Sequence, residues 1–331
     1  KGFSFISLIY NSSYGVGYIF VSNLIASSVT LLLFFPEIFK IKIDFNSKLL
    51  KSVLIYSLPL LITGLTGAVN EMADRIFIKY LTVAPIETEN VQEYVMSQLG
   101  IYGASAKLAV IMMMFVQAFR YAAEPFFFSS AKKLDSDSLK NFADVMKYYI
   151  FLAFLMFLII MQNIDIVKYF INKDYFEGLV VVFPLFLSRI LVGVFFILSF
   201  WYKLKDLTKY GIVIFSTGAV VTIVMDILLI PKFGYIAAAW TNFATYFVMV
   251  VFSFIWSRKY MKVPYQYVII LLYIGIAFTI YYMSVFINTS SEIINICLKN
   301  LVILFYIFVF IKVEKISLKK IIIKYVSKNR K

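Results

Sequence analysis

Long apolar runs separated by short charged loops recur from residue 17 to residue 311, a pattern that leaves few folds open to this chain. A helix needs about 20 mostly apolar residues to cross the hydrocarbon of a bilayer. By that measure the sequence predicts about nine spans, at 17–36, 52–81, 100–129, 142–162, 178–200, 211–230, 235–257, 266–287 and 293–311. Hydrocarbon offers backbone N–H and C=O groups no partner, so each span is expected to be a helix and the fold class all-α polytopic. The composition agrees, with 62% hydrophobic and 19% aromatic residues where soluble domains hold about 45–50% apolar residues. The longest loop, 83–99, is too short to be a folded domain.

A formal net charge of +14 invites a nucleic-acid reading, but the lysines lie between apolar spans and not along one groove-binding face, so no nucleic-acid partner is expected. Basic loops (Lys40, Lys42, Lys48 and Lys51; Lys132, Lys133, Lys140 and Lys147; Lys203, Lys205 and Lys209; Arg258, Lys259 and Lys262) alternate with acidic, mixed or nearly uncharged ones. By the positive-inside rule the first residues are external and the C-terminus cytoplasmic. The last stretch, 313–331, reads as a basic cytoplasmic tail, either solvated or lying along anionic lipid. One cysteine, Cys297, and no histidine rule out a disulfide framework, a Cys- or His-based metal site and a histidine general base. The chain opens on Lys1 with a loop-like segment, which is expected to continue from an earlier part of a longer protein.

Polar residues inside the spans carry the functional signal. The stretch 56–80, YSLPLLITGLTGAVNEMADRIFIKY, places Asn70, Glu71, Asp74 and Arg75 in a span, with 71, 74, 75 and 78 on one helical face. The span 100–129 holds Lys107, and Gln117, Arg120 and Glu124 at spacings that share a face; Arg189 and Asp226 lie in the spans at 178–200 and 211–230. A charged side chain in hydrocarbon costs at least about 2.5–3.5 kcal/mol, so such groups face protein or a wet cavity. Each also has a purely structural account. Glu71 with Arg75, and Arg120 with Glu124, can pair at i, i+4, while Arg75, Lys79 and Lys107 can snorkel and Asp226 can sit near an interface by Pro231. Arg189 is different, being mid-span with no acid nearby in sequence. Ionisable groups on several spans together suggest a shared polar cavity in a transporter, with spare arginines suited to phosphate.

Segments 58–81, 100–128, SFWYKLKDLTKYG (199–211) and IPKFGYIAAAWTNFATYFVMV (230–250) resemble, in style and order, the Wzx-like oligosaccharide and polysaccharide flippases of the multidrug/oligosaccharidyl-lipid/polysaccharide exporter superfamily. That resemblance implies spans six to fourteen of a fourteen-helix, two-lobe transporter. Residues 1–51 would hold the last helix of the N-terminal lobe and the inter-lobe loop, 52–257 the second lobe, and 258–312 two added helices. It implies a carrier and not an enzyme, moving undecaprenyl-diphosphate-linked oligosaccharide across the bacterial inner membrane by alternating access. Its partners would be membrane lipids and the glycosyltransferases and polymerase of the same pathway. No cofactor is implied beyond coupling to a proton or sodium gradient. By the same resemblance Arg75, Lys107, Arg120 and Arg189, with Asn70 and Gln117, would bind substrate, and Glu71, Asp74, Glu124 and Asp226 would couple ions. Tyr102, Tyr121 and Trp201 would stack on sugar, or in the case of Trp201 anchor at the interface. A cation-coupled multidrug exporter of the same superfamily and a membrane glycosyltransferase or polymerase acting on lipid-linked sugars are the alternatives; the first should show an acid-dominated cavity.

Overall fold

A computed structural model describes residues 12–40, 45–130, 136–284, 286–287 and 291–315. The basic tail beyond 315, the loop lysines Lys42, Lys132 and Lys133, and the turn at 288–290 lie outside the described residues. Those described are almost entirely helical, with no strand among them. The long helices are α1 (Gly17–Ile38), α2 (Ser47–Leu81), α3 (Val91–Ser130), α4 (Ser136–Gln162), α5 (Val182–Leu198), α6 (Thr208–Tyr260), α7 (Tyr267–Ser284) and α8 (Glu292–Val313). Seven segments are long and apolar enough to cross a membrane. One of them, α6, has 53 residues and reverses at Gly234, where φ is 57° and ψ −140°, a backbone that glycine accepts readily. Thr222 and Thr245 share a hydrogen bond of 2.8 Å across the two arms, and the Tyr210 and Tyr260 hydroxyls meet nearer their ends. α6 is therefore two antiparallel spans, α6a (208–233) and α6b (235–260). With α2, which is long enough but carries several charges, the expected set of about nine crossing helices is present. The chain is a multi-pass α-helical membrane protein.

Helix starts differ from the hydropathy boundaries for local reasons. α2 begins at Ser47, ahead of the apolar run, because Asn46 Oδ1 accepts the free N–H groups of Lys48 and Leu49, both at 3.1 Å. α3 begins at Val91, within the expected loop. Asn90 Oδ1 accepts the Glu93 N–H at 3.2 Å while the Asn90 amide donates to Glu93 Oε2 at 3.3 Å, a capping box. The expected span at 178–200 is instead a 3₁₀ segment, Lys173–Val181, followed by α5. Pro184 is tolerated in the first turn of α5, but a continuous α-helix through it would clash one turn earlier.

The described chain divides between Tyr56 and Ser57, inside α2, into two compact units. In the unit from Ser57 onward, α5 is the central helix, packing against α3, α4 and α6. α7 and α8 pack on α4, where Phe151 stacks on Phe310 with ring centres 3.7 Å apart. They are fastened at both ends. Asn163 and Asn300 exchange amide hydrogen bonds of 3.1 and 3.0 Å. At the other end Lys147 lies 2.8 Å from Glu314 and 3.3 Å from Asp144, and Tyr273 donates to Glu314 at 2.9 Å. Glu314, read in the sequence as the start of a solvated tail, is in fact part of a largely enclosed ionic cluster.

The α4–α5 contact allows a direct test. Tyr149 is fully buried and donates to the Ile190 carbonyl at 2.9 Å, and a Cβ at Gly193 would overlap its phenol ring. Gly193→Ala should lower stability by about 1–3 kcal/mol or more. Gly103→Ala, whose added Cβ meets nothing within 4 Å, should leave it unchanged or slightly raised, as read by thermal unfolding of the purified protein.

Candidate functional site

Helical spacing turns Gly67, Asn70, Glu71, Asp74 and Ile78 of α2 towards the bundle. α2 comes less close to its neighbours, backbone to backbone, than they come to one another, so polar side chains provide much of its attachment. Gly218 of α6a permits the closest approach: a Cβ there would lie 2.8 Å from Asn70 Nδ2 and 2.7 Å from Met249 Sδ. Asn70 Nδ2 donates to the Phe215 carbonyl at 3.3 Å, and the Asn70 carbonyl accepts from Asn242 Nδ2 at 3.4 Å. Asn242 Oδ1 in turn accepts from Ser188.

The next polar layer is ionic. Arg189 Nη1 lies 2.6 Å from Glu71 Oε1 and 2.8 Å from Oε2, and the Tyr246 hydroxyl donates to the same carboxylate at 3.0 Å. Arg189 thus has an acidic partner after all, on a helix far away in sequence. One helical turn further along α2, Asp74 is 5% exposed; it accepts from the Tyr102 hydroxyl and, at 2.8 Å, from the Arg75 backbone N–H. Asp226 of α6a is fully buried within electrostatic reach of Asp74, and neither of its oxygens has a hydrogen-bond partner among the described residues. Thr241 faces it across the hairpin but closes no hydrogen bond with it, and the Thr241 hydroxyl is itself buried and unpartnered. An isolated carboxylate in such surroundings is expensive, and it is relieved by a proton or a bound cation. Asp74, Asp226 and Thr241 together offer only oxygen ligands, which suit a proton or a hard cation. Among the described residues no group of three or more His, Cys, Asp or Glu could hold a metal ion.

The remaining predicted residues do not join this centre. Arg75 and Lys107 are exposed and line a separate cleft of about 460 Å³ with Gly100, Gly103, Ala104 and Tyr175. The i, i+4 pair of Glu71 with Arg75 does not form, because Glu71 turns to Arg189. Arg120 does reach Glu124, but at 3.8 Å with side chains 43% and 36% exposed, a weak pair. Eighteen residues along α3, its backbone lies about 27 Å from that of Tyr102, and its guanidinium and the Lys203 ammonium each lie 5.1 Å from the Phe196 ring centre. Gln117 is half-buried and makes no side-chain hydrogen bond among the described residues. The single cavity with spare arginines expected from sequence is therefore three places: an acid-rich centre, a basic cleft and a basic patch at the far end of α3.

The aromatic expectations also change. Tyr102 is buried as a donor to Asp74, so it offers no face to sugar. Trp201 is fully buried, donating to Ser253 at 3.2 Å and stacked on Tyr260, so it is neither a sugar platform nor an interfacial anchor. Tyr121 remains exposed. Sequence reasoning passed over Ser188, Thr241, Asn242 and Tyr246. The signal was present, since positions 241, 242, 245 and 246 place four polar side chains on one face of an apolar span.

Fold and site together define a multi-pass helical membrane protein with a buried ionic centre. No protein-family profile matches the chain, and no characterised protein matches it.

Removing either half of the central pair strands the other. Arg189→Ala should cost about 2–3 kcal/mol, less than a fully enclosed pair, because the Glu71 side chain is 39% exposed. Asp226→Asn removes an unpartnered charge and should raise the thermal midpoint in sodium-free buffer. Opposite shifts of the unfolding midpoint are expected from these two substitutions.

Proposed function

We propose that the protein is an ion-coupled secondary transporter that flips a lipid-linked oligosaccharide across the bacterial inner membrane by alternating access. The observation that carries the transport reading is the ionic centre itself: Glu71 paired to Arg189, with Asp74 and the unpartnered Asp226 alongside, inside an apolar bundle. Intramembrane charges of this kind are retained where ions or substrates pass. Asp74 and Asp226 are assigned the coupling proton or sodium ion. Arg75 and Lys107 are assigned the diphosphate, since a guanidinium and an ammonium in a cleft lined with small residues suit an anionic head group. The resemblance of segments 58–81 and 230–250 to Wzx-like flippases supports the sugar-lipid substrate. On this reading the partners are membrane lipids and the enzymes that build and polymerise the lipid-linked sugar.

One observation favours a second reading, a cation-coupled multidrug exporter: the centre is acid-rich, with Glu71, Asp74 and Asp226 gathered near Arg189. The two readings separate in proteoliposomes containing the intact protein and either a fluorescent lipid-linked oligosaccharide or a cationic dye. Flipping of the sugar-lipid should fall by roughly tenfold in Arg75→Ala and in Lys107→Ala, as expected for loss of a charge-assisted hydrogen bond. Asp226→Asn should abolish its dependence on an ion gradient. Dye transport without sugar-lipid flipping would favour the exporter, and movement of neither would remove both readings.

A further inference from the structure

Arg189 is held by Glu71 through only part of its donor set. Nη1 alone makes the ion pair, and neither Nε nor Nη2 has a hydrogen-bond partner among the described residues. A carboxylate that saturates an arginine normally takes two nitrogens side by side. Asp74 lies three residues beyond Glu71 on the same face of α2, where side chains three apart are neighbours, about 5–6 Å between Cβ atoms. It lies within the electrostatic field of Arg75 and of Arg189. The charged and titratable groups around Asp74 are Glu71 and Arg75 on α2, Tyr102 on α3, Arg189 on α5, Asp226 on α6a and Tyr246 on α6b.

We propose that Arg189 is a tethered counter-ion that competes with the coupling cation for Asp74, so that it sits on Glu71 when the cation is bound and on Asp74 when it is not. This rests on the reading of Asp74 and Asp226 as the ion site. Glu71 then acts as the parking position for the arginine, and Tyr246, which donates to Glu71, steadies that position. Arg189 is a positioning residue that sets cation affinity without touching the cation. The exchange links ion binding to helix packing. With Arg189 on Glu71, the cation ties α2 to α6a through Asp74 and Asp226; with Arg189 on Asp74, that tie is lost and the hydrogen bonds of Asn70 and Glu71 are what join α2 to α6.

Under the exchange, Glu71→Gln weakens cation binding mainly by releasing Arg189, so most of its effect should disappear in the Arg189→Gln background, whereas two fixed charges would shift the affinity additively. The measurement is carbodiimide labelling of Asp74 and Asp226 in the intact protein, read by mass spectrometry. A bound sodium ion protects a carboxylate, and protonation exposes it to the reagent. Sodium is titrated at fixed pH, and protons are titrated separately in sodium-free buffer, so either coupling ion registers. Arg189→Gln removes the competitor and should tighten cation binding by roughly tenfold, within the usual range of site-to-site coupling. Glu71→Gln removes the parking position and should weaken it by a similar factor. Arg189→Lys, which keeps the charge, should stay near the wild type. If Arg189→Gln fails to fold, Arg189→Met serves as the neutral variant in the same cycle. Additive shifts in the double variant, shifts in the same direction, or none, in folded variants would overturn the tethered counter-ion while leaving the ion site standing. Labelling of the wild type that responds to neither sodium nor protons would remove the ion site itself, and this inference with it.

Discussion

The ion pair between Glu71 and Arg189 is the constraint from which much of the arrangement around α2 follows. α2 lies further from its neighbours than they lie from one another, so it cannot rely on close apolar packing for its position. It is held by polar side chains instead: Asn70 to Phe215 and Asn242, Glu71 to Arg189 and Tyr246, Asp74 to Tyr102. In an apolar bundle each such bond replaces a partner that water would otherwise supply, so leaving one unmade is costly. The same polar face that attaches α2 therefore also dictates its rotation. Turning the helix by one residue would leave a buried carboxylate without a partner and present an apolar side chain to Arg189.

Charge is distributed accordingly. Acids concentrate where helices meet, at Glu71, Asp74 and Asp226, and the bases expected to bind substrate, Arg189 apart, lie on more open surfaces. Arg75 and Lys107 share a cleft, while Arg120 and Lys203 flank Phe196 near the opposite end of α3. Lys147 shows what full enclosure requires of a base: it is met by Asp144 and Glu314 together and by Gln266 at 3.4 Å. That cluster, with the Asn163–Asn300 pair at the other end, fastens α7 and α8 to α4 as one body. Among the described residues no comparable clamp holds α2, whose ionic attachment there is a single partly exposed pair.

Much of the fold was legible in the sequence, because hydrophobic length is a one-dimensional property. The run Pro231–Gly234 marked the reversal of α6, and the apolar stretches marked the spans. Helix starts were legible in principle, since Asn90 with Glu93 is a capping-box spacing and Asn46 precedes a helix, but hydropathy alone does not register a cap. The site was legible only as a set of residues. Spacing rules connect positions on one helix, which is why Glu71 seemed to belong with Arg75. The partner it has, Arg189, and the donor to Asp74, Tyr102, come from other helices and depend on how α2 is rotated against α3 and α5. Glu314 was assigned to a tail for the same reason: its lysine partner is on α4, and nothing in the basic sequence around it points there.

An acid excess at the centre of an apolar bundle also bears on mechanism. Asp74 and Asp226 are both buried and lie within electrostatic reach of one another, and two like charges at low dielectric repel strongly. Arg75 acts on Asp74 from an exposed position, and its side chain lines a separate cleft with Lys107. On the proposed transport reading a cation or proton taken from outside, or a redistribution of Arg189 among the acids, completes the balance. The positions of α2 and α6a would then depend on ion occupancy, because the carboxylates assigned to the ion are carried on both. The Lys147 cluster differs in that its buried charge is met directly by Asp144 and Glu314, whereas both oxygens of Asp226 lack a hydrogen-bond partner among the described residues.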